Sequence, residues 1–488
     1  MTALLHDLLD DRAATDPGAA ALRRADRTWT YAELRGRSQA AAAALARLGV
    51  GRGDRVLVLD DNDMETVALV HAASRLGAAS VVVSARTRPY SLSHMLADCA
   101  PSAVLGGAEA LARVRELTGV PVLDFAELPA SAEWTPGDRP LSTDPVSLIY
   151  TSGSTSLPKA VVSTHQQVRS AVAAIAGQLR YRADDVVLCC LPLAFDYGLY
   201  QAHLSCAAGA VLVLGTGQDS AAGLLRRLVE DRVTVLPLVP SLALTLAGLA
   251  GRRGAALPPL RMVTNTGAAL VPALAARLRA ALPGVAVVGM FGLTECKRVA
   301  IAEPDLDLTR PGAVGRALPG TEILIAGDDG EPVGPDVAGE LLVRGPHVMA
   351  GYWNAPELTA NRFRRDHLGR TTLHTGDRCR IDADGYLYFV GRGDDVYKQN
   401  GFRVSAAEVE AAACDIPGVR LAAALVPVGD TPARLAVSGE ITAEVLAKEL
   451  RVRMEDGKVP PVCRVLDALP LTTNGKVDRA AVRDGWDR

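Results

Sequence analysis

The sequence predicts an α/β fold, with a large N-terminal domain of layered α/β subdomains and one β-rich subdomain, followed by a small, mobile α+β C-terminal domain. From residue 28 to about 320, short apolar runs alternate with amphipathic helical patterns, which is typical of parallel α/β layers. From about residue 321, Gly, Pro and Asp interrupt the apolar runs, which indicates a smaller β-rich unit. The chain has 488 residues, and chains longer than about 250–300 residues usually divide into domains.

Individual elements follow from the same periodicities. Buried strands are predicted at 55–60, 80–83, 210–215, 233–239 and 285–290, and helices at 41–50 (ending at Gly49), 221–232 and 271–283. A further helix is predicted over 405–415, with Ser405 as its N-cap and Glu408 at the capping-box position. The charged, glycine-punctuated stretch at 391–395 is the predicted hinge region. We therefore expect an N-terminal domain over 1–391, a hinge over 392–395 and a mobile domain over 396–488.

Composition excludes several classes of partner. The net charge is −3, from 52 basic and 55 acidic residues, which does not favour a nucleic-acid or membrane-surface partner. The N-terminus has no basic segment before an apolar run, and no long uncharged apolar stretch occurs, so a cytoplasmic location is expected. None of the eight cysteines forms a CxxC motif, so buried free thiols are expected rather than a zinc site.

The strongest chemical signal is TSGSTSLPK at 151–159, directly after the apolar run VSLIY. A Ser/Thr/Gly loop that follows a strand exposes backbone N–H groups and hydroxyls to an anion. A P-loop would need Gly directly before the lysine and Ser or Thr after it. Here Pro158 precedes Lys159 and Ala160 follows it, so a different phosphate loop is favoured over a P-loop or a plain polar surface loop.

Further motifs follow in order, and together they resemble those of the adenylate-forming superfamily, which includes acyl-CoA synthetases, nonribosomal peptide adenylation domains and luciferases. The segment at 151–159 is similar to the family's phosphate loop, although Ser156 and Ala160 stand where the family usually has Gly. The other matching strings are NTGAAL at 265–270, FGLTE at 291–295, TGD at 375–377, GRGDD at 391–395, KQNGFRVSAAEVE at 398–410 and PLTTNGKVDR at 470–479.

The resemblance implies ATP and Mg²⁺ as cofactors and assigns roles to residues of these motifs. Thr294 is expected at the phosphates, Glu295 at Mg²⁺ and Lys476 as the catalytic lysine, with Asp394 as the hinge pivot. A single carboxylate beside phosphate oxygens is also a sound Mg²⁺ site on chemical grounds. The residues that the resemblance implies for ATP binding are Thr151, Ser152, Gly153, Ser154, Thr155, Lys159, Gly267, Ala268, Phe291, Asp377 and Arg392.

The reaction that the family catalyses suits a lysine on a mobile domain. A carboxylate attacks the α-phosphate of ATP, and catalysis consists mainly of positioning and charge stabilisation. No general base is needed, because the acid is already ionised near pH 7. Taken alone, Lys476 could also be a solvated lysine after the Asn-Gly turn; its place in the ordered motifs favours the catalytic role.

Asp196, in LPLAFDYGLYQ at 191–201, is the candidate for recognising an amino group. In amino-acid-activating relatives, a Phe-Asp pair at this place puts the carboxylate in the substrate pocket, where it pairs with the ammonium. A buried carboxylate without a partner is costly, so an Asp among apolar residues requires a cation. The alternative is an aspartate at the pocket rim or a structural aspartate that caps a helix.

Arg298 is the candidate for a second substrate contact. An arginine there could bind a second carboxylate, such as that of an acidic amino acid or of a β-amino acid bearing a carboxylate; alternatively, Lys297 and Arg298 both bind phosphate or surface carboxylates. In this respect the chain resembles stand-alone β-amino-acid-adenylating enzymes of macrolactam pathways. The other pocket residues implied by the resemblance are Tyr197, Tyr200, Pro237, Thr264, Thr266, Met290 and Val299.

These motifs predict an AMP-forming ligase that adenylates an amino acid and transfers it to a thiol. Because the sequence ends soon after Lys476 without a fused carrier domain, we expect the acceptor to be the phosphopantetheine of a discrete carrier protein, or coenzyme A, in natural-product biosynthesis. The alternatives are an acyl- or aryl-CoA ligase for acids without an amino group, and a nucleotide-binding protein without ligase activity.

Overall fold

The structure is a computed structural model that describes residues 4–60, 62–151, 158–215, 221–250, 260–392, 395–399, 402–428, 431–454 and 456–486. Up to residue 317 the strands are β1 (Ala20–Arg24), β2 (Arg27–Thr30), β3 (Arg55–Asp60), β4 (Ala79–Ser84), β5 (Ala103–Gly106), β6 (Val122–Asp124), β7 (Pro145–Thr151), β8 (Lys159–Thr164), β9 (Val186–Cys189), β10 (Val211–Leu214), β11 (Val235–Leu238), β12 (Met262–Asn265), β13 (Ala286–Phe291), β14 (Ala300–Ile301) and β15 (Arg316–Ala317). The helices of this part are α1 (Asp7–Thr15), α2 (Tyr31–Arg47), α3 (Met64–Leu76), α4 (Pro89–Cys99), α5 (Ala108–Ala112), α6 (His165–Leu179), α7 (Asp196–Ala208), α8 (Ala221–Glu230), α9 (Pro240–Ala250) and α10 (Pro272–Ala281).

The rest of the chain is richer in strands. These are β16 (Glu322–Ala326), β17 (Gly339–Arg344), β18 (Gly351–Tyr352), β19 (Phe363–Arg365), β20 (Thr371–Ile381), β21 (Leu387–Arg392), β22 (Val396–Gln399), β23 (Phe402–Ser405), β24 (Val419–Leu425), β25 (Arg434–Gly439) and β26 (Val462–Leu466). Its helices are α11 (Pro356–Arg362), α12 (Ala406–Cys414), α13 (Ala443–Arg453) and α14 (Arg479–Asp484).

Two large, mostly parallel sheets form the first part of the molecule, which confirms the predicted α/β layers. One has the strand order β15-β14-β13-β12-β11-β9-β10-β1-β2, and the other has the order β18-β8-β7-β4-β3-β5-β6. The helix α3 contacts strands of both sheets and is buried along almost its whole length. The continuous apolar strands predicted from the sequence are therefore covered on both faces, as parallel sheets require.

The candidate site lies where four parallel strands end. β9, β11, β12 and β13 are neighbours in the nine-stranded sheet, and their pairings are parallel. Ligands of open α/β sheets bind outside the carboxyl ends of the strands. The segments that leave these ends carry Asp196, Ser241, Gly267 and the 291–299 turn.

The β-rich subdomain predicted from residue 321 is a five-stranded sheet with the order β16-β17-β20-β19, in which β21 also pairs with β20. Its core includes Ile325, Leu341, Val343 and Leu387. The segment after residue 395 forms a β22-β23 hairpin and a three-stranded β24-β25-β26 sheet. These pack with α12 and α13 around a separate apolar cluster.

The capping box predicted for α12 is wrong. The helix begins where expected, with Ser405 as its N-cap residue, but no side-chain capping bond forms. The Ser405 hydroxyl instead donates to the Val390 carbonyl oxygen at 2.8 Å, and the Glu408 carboxylate pairs with Lys458 at 3.0 Å. Both side chains therefore bind residues outside the helix instead of the backbone N–H groups of its first turn. The Ser405 bond connects the start of α12 to β21.

All eight cysteines are free thiols, five of them buried and three half-buried. Within the described ranges, no helix is both long and apolar enough to cross a membrane.

Candidate active site

Glu295 lies in the turn after β13, and a tyrosine from a distant strand holds its carboxylate. The Tyr352 hydroxyl, on β18, donates to Glu295 Oε1 at 2.6 Å. Burial, followed by the Glu295 charge, raises the Tyr352 pKa, so the phenol remains a donor. Lys159, at the start of β8, places its Nζ 5.5 Å from the centroid of the same ring. The structure therefore brings the lysine of the phosphate loop and the candidate metal carboxylate to one aromatic side chain.

This arrangement fits a magnesium ion. One oxygen of Glu295 is held by Tyr352, and a single carboxylate is what Mg²⁺ takes when phosphate oxygens and waters supply its other ligands. Thr294 is half-buried beside it. Ser152, Gly153, Ser154 and Thr155 lie outside the described residues, and Thr151 ends β7 directly opposite Lys159.

The predicted nucleotide residues lie at the ends of β12, β13 and β21 and within β20. The Phe291 ring lies 5.5 Å from Phe389 and is half-buried, which leaves part of the ring exposed. Gly267 and Ala268 form an exposed turn that Asn265 closes by donating to the Ala268 carbonyl oxygen at 2.9 Å. Asp377 is buried on β20 and faces Arg392 across the β20–β21 ladder, and the Arg392 side chain is not described.

Lys476 lies directly over the turn at Gly267. A Cβ added to Gly267 would be 3.0 Å from Lys476 Cε and 3.6 Å from its Nζ. The same ammonium lies 5.6 Å from the centroid of Phe195. The structure thus brings Lys476, from the end of the chain, to the predicted adenine turn and to the residue next to Asp196. Asp394 lies outside the described residues.

Asp196 is the first residue of α7 and is only 5% exposed. Within the described part of the chain, its carboxylate makes no hydrogen bond or ion pair. It does not cap the helix, because the N-cap residue is Phe195 and no side-chain bond forms there. The structural alternative of a helix-capping aspartate is therefore not supported.

Two buried cations lie beyond Asp196, in the turn between β13 and β14. Lys297 is 1% exposed and Arg298 is 5% exposed. Lys297 Nζ and Arg298 Nε have no hydrogen-bond partner among the described residues. Burial lowers the Lys297 pKa to about 8, although the nearby Asp196 and Glu295 charges raise it in part. Among the described residues, neither cation pairs with a surface carboxylate, so the carboxylate part of that alternative does not describe their surroundings.

The backbone of this turn is unusual in two ways. Lys297 has φ +63°, a left-handed conformation that is costly for a lysine and is often found at functional sites. A Cβ on Gly292 would overlap the Lys297 carbonyl oxygen, so only glycine allows this close approach. The glycine of FGLTE thus permits the turn that directs two cations inward.

Aromatic rings accompany these charges. Lys297 Nζ lies 5.6 Å from the Tyr200 centroid, and Arg298 Cζ lies 4.9 Å from that of Tyr197. The Tyr197 hydroxyl is 2.6 Å from Thr264 Oγ1, whereas the buried Tyr200 hydroxyl has no partner among the described residues. Arg298 Nη1 donates to the Lys297 carbonyl oxygen at 2.5 Å. Cation–π contacts offset part of the cost of burying a charge, but they leave Lys297 Nζ and Arg298 Nε without a hydrogen-bond acceptor among the described residues.

The remaining predicted pocket residues divide into two groups. Pro237, Thr264, Thr266 and Met290 are buried near the ends of β11, β12 and β13. Val299 is fully buried in a different apolar cluster, with Cys296, Leu341 and Val343. The Val299 side chain therefore packs with residues of the β-rich sheet, and it belongs to a different cluster from Tyr197 and Met290.

Comparisons with known proteins place the chain in a family. Residues 9–353 match the family of AMP-binding enzymes. The chain belongs to this family of adenylate-forming enzymes and is an AMP-forming ligase, with ATP and Mg²⁺ as its cofactors.

Three similar proteins illustrate the range of the family. The feruloyl-CoA synthase of an Amycolatopsis species is 32% identical over 484 residues, which cover 97% of each chain. The structure of VinN with L-aspartate is 41% identical with a TM-score of 0.73, and the match covers 80% of this chain and 98% of VinN. O-succinylbenzoate coenzyme A synthetase (MenE) from Bacillus subtilis, with ATP and magnesium ion, is 26% identical with a TM-score of 0.86, and the match covers 98% of this chain and 99% of MenE.

Proposed function

We propose that this ligase adenylates an amino acid with a second carboxylate, an acidic α-amino acid or a β-amino acid, and transfers the aminoacyl group to the phosphopantetheine thiol of a separate carrier protein in natural-product biosynthesis. One observation carries the proposal, namely that a buried aspartate and two buried cations lie together without ion-pair partners among the described residues. Their charges match those of such an acid.

Asp196 supplies the site for the ammonium group. A carboxylate that is 5% exposed and unpaired costs several kcal/mol relative to water, about 3–5 kcal/mol when a buried pair is broken. A substrate ammonium removes this cost, whereas an acid without an amino group does not. The site therefore favours amino acids over simple fatty or aryl acids.

Lys297 and Arg298 supply the site for a second carboxylate. Both present unused N–H donors within a buried environment. Charge-assisted hydrogen bonds to carboxylates are about twice as strong as neutral ones, and an arginine binds them with two parallel bonds. The solved complex of VinN with L-aspartate, a dicarboxylic amino acid, supports this interpretation through its 41% identity.

The reaction then proceeds in two steps. In the first, an oxygen of the reacting carboxylate bonds to the α-phosphorus of ATP, and pyrophosphate leaves. Lys476 stabilises the charge at that phosphorus, and Glu295 would hold the Mg²⁺ ion that would supply positive charge to the phosphates. In the second, the domain after the hinge rotates about Asp394, the thiol loses its proton to solvent and its sulfur attacks the acyl carbon, and AMP leaves as the bond between the acyl carbon and the phosphate oxygen breaks. The contact of Lys476 with the turn at Gly267 corresponds to the first step.

The second candidate is an acyl- or aryl-CoA ligase. The match to feruloyl-CoA synthase, over 97% of both chains, favours coenzyme A as acceptor. The two candidates differ at Asp196, which has no function with an acid that lacks an amino group.

ATP–pyrophosphate exchange across a panel of acids tests the proposal. We expect exchange with acidic α- or β-amino acids and little with cinnamic, benzoic or fatty acids. Exchange only with acids that lack an amino group would contradict the proposal. Subsequent incubation with coenzyme A or with a phosphopantetheinylated carrier protein then identifies the acceptor.

A further inference from the structure

The loop that presents Lys476 is a tight turn in the C-terminal segment. Thr472 N donates to the Lys476 carbonyl oxygen at 2.7 Å, and Gly475 N donates to the Thr472 carbonyl oxygen at 2.9 Å. Gly475 has φ +73°, so a glycine suits this position. The loop therefore has a fixed shape, and the place where it is held determines where the lysine lies.

Ser241 contacts this loop from the other side of the hinge. It is the second residue of α9, directly after β11, and its hydroxyl donates to the Gly475 carbonyl oxygen at 2.8 Å. A Cβ added to Gly475 would be 2.8 Å from Ser241 Oγ and 2.9 Å from Val239 Cγ2. The loop backbone thus packs directly on the β11–α9 connection, with no room for a side chain at Gly475.

A second close approach occurs one residue further along. Lys476 Cε is 3.0 Å from the position that a Cβ on Gly267 would take. Two glycines, one on each side of the contact, therefore let the backbones approach, and the Ser241 hydroxyl is the polar group that joins them. Ser241 itself is half-buried and is 234 residues from its partner.

We propose that Ser241 is a positioning residue for adenylation: its hydrogen bond to Gly475 holds the lysine loop in the position from which Lys476 reaches the reacting phosphate. This inference rests on the proposed role of Lys476. Because Ser241 acts through the loop and not on the substrates, its loss should lower the turnover number without weakening the binding of either substrate.

The test compares Ser241→Ala with Ser241→Thr, which keeps the hydroxyl, and with Thr245→Ala. Thr245 is a matched control, because it lies one turn along α9 and its hydroxyl only donates to the Ser241 carbonyl oxygen within the helix. In pyrophosphate exchange with L-aspartate, or with whichever acid the panel selects, we expect kcat of Ser241→Ala to fall about three- to tenfold, the loss of one hydrogen bond. KM for ATP and for the acid should change less than twofold, and Thr245→Ala should behave as wild type.

Gly475→Ala provides a second route to the same contact. Its Cβ would meet Ser241 and Val239, so kcat should fall further than with Ser241→Ala, and a thermal unfolding curve checks that the variant remains folded at the assay temperature. An unchanged kcat in both variants would overturn the proposal. So would a raised KM at constant kcat, which would mean that Ser241 contacts a substrate.

A double-mutant cycle separates this inference from the proposed function. In a Lys476→Ala background, adding Ser241→Ala should cause no further loss, because the loop then has no lysine to position. A further loss of the same factor would overturn the positioning role. If the single variant Lys476→Ala keeps wild-type activity, the proposed catalytic role of Lys476 is wrong. If Lys476→Ala loses activity but Ser241→Ala does not, the role of Ser241 is wrong and that of Lys476 stands.

Discussion

The nucleotide side and the acid side of the site differ in how their polar groups are paired. On the nucleotide side, the Glu295 carboxylate is held by Tyr352, and the loop of Lys476 is held by Ser241. On the acid side, the side chains of Lys297 and Tyr200 are more deeply buried. Lys297 Nζ and the Tyr200 hydroxyl nevertheless have no hydrogen-bond partner among the described residues.

This difference indicates which reactant each side serves. ATP is the same in every turnover, so the groups that bind it can be positioned in advance by other side chains. The acid must be chosen among many, and a buried group that is satisfied only by the correct partner penalises every other acid. An unsatisfied buried group costs about 1–3 kcal/mol, which is the kind of penalty that gives strong discrimination.

The largest expected effect is on the nucleotide side. Lys476→Ala should lower kcat for adenylation by about 10²–10³, as the loss of a charge-stabilising donor does in other enzymes. Lys448, exposed on α13, is the matched control and should be replaceable by alanine without effect. A Lys476→Ala enzyme with wild-type exchange would show that the nucleotide side is not organised around this lysine.

The second largest expected effect is a fall in kcat/KM on replacing a buried cation of the acid side. Arg298→Met should lower kcat/KM about 10- to 100-fold for amino acids with a second carboxylate, since a charge-assisted bond contributes about 1.5–3 kcal/mol. Amino acids without that carboxylate should lose little, and Arg298→Lys should retain part of the preference. Equal losses for both kinds of acid would mean that Arg298 binds the nucleotide.

Gly292 lies between Phe291 of the nucleotide side and the Lys297 turn of the acid side, and its replacement should lower the stability of the protein. Gly292→Ala places a Cβ on the Lys297 carbonyl oxygen, so unfolding free energy should decrease by about 1–3 kcal/mol in a denaturant titration. Gly289→Ala, in the preceding strand β13, is the control, because the nearest atom to its Cβ would be 4.0 Å away. Similar stabilities for the two variants would argue against the close approach at Gly292.

The smallest effect concerns the pairing of Glu295. Tyr352→Phe removes the hydroxyl that orients the carboxylate, so about threefold to tenfold more Mg²⁺ should be needed for half-maximal exchange, with KM for the acid unchanged. Tyr150→Phe is the control, since that hydroxyl donates to Asp98 of α4 at 2.7 Å and not to Glu295. No change in the Mg²⁺ requirement would show that Glu295 is held equally well without Tyr352.

Much of the fold followed from the sequence because the buried strands have a clear signature. The run at 55–60 is β3 without any shift of its ends, and 285–290 matches β13 to within one residue. The capping box at Ser405 was predicted from local spacing alone, which cannot account for competition from Val390 and Lys458.

The candidate site was predicted less completely, since several of its residues act through long-range contacts. Tyr352 and Ser241 lie 57 and 234 residues from the groups they hold, and no motif marks them. Lys297 follows the recognised string FGLTE by two residues, but its inward direction depends on a left-handed turn that only the folded backbone reveals. The glycine at position 292 was the one feature of the sequence that could have indicated a close backbone approach at this turn.

The most direct test of the account compares L-aspartate with succinate, the same skeleton without the ammonium group, in the wild-type enzyme and in Asp196→Asn. Pyrophosphate exchange by the wild-type enzyme should favour L-aspartate over succinate by at least about 100-fold in kcat/KM, in line with a buried charge pair. Asp196→Asn should reduce that ratio by about 10-fold or more, with KM for ATP unchanged. An equal preference in both enzymes, or a loss of ATP binding in the variant, would contradict the role of Asp196 as the ammonium site.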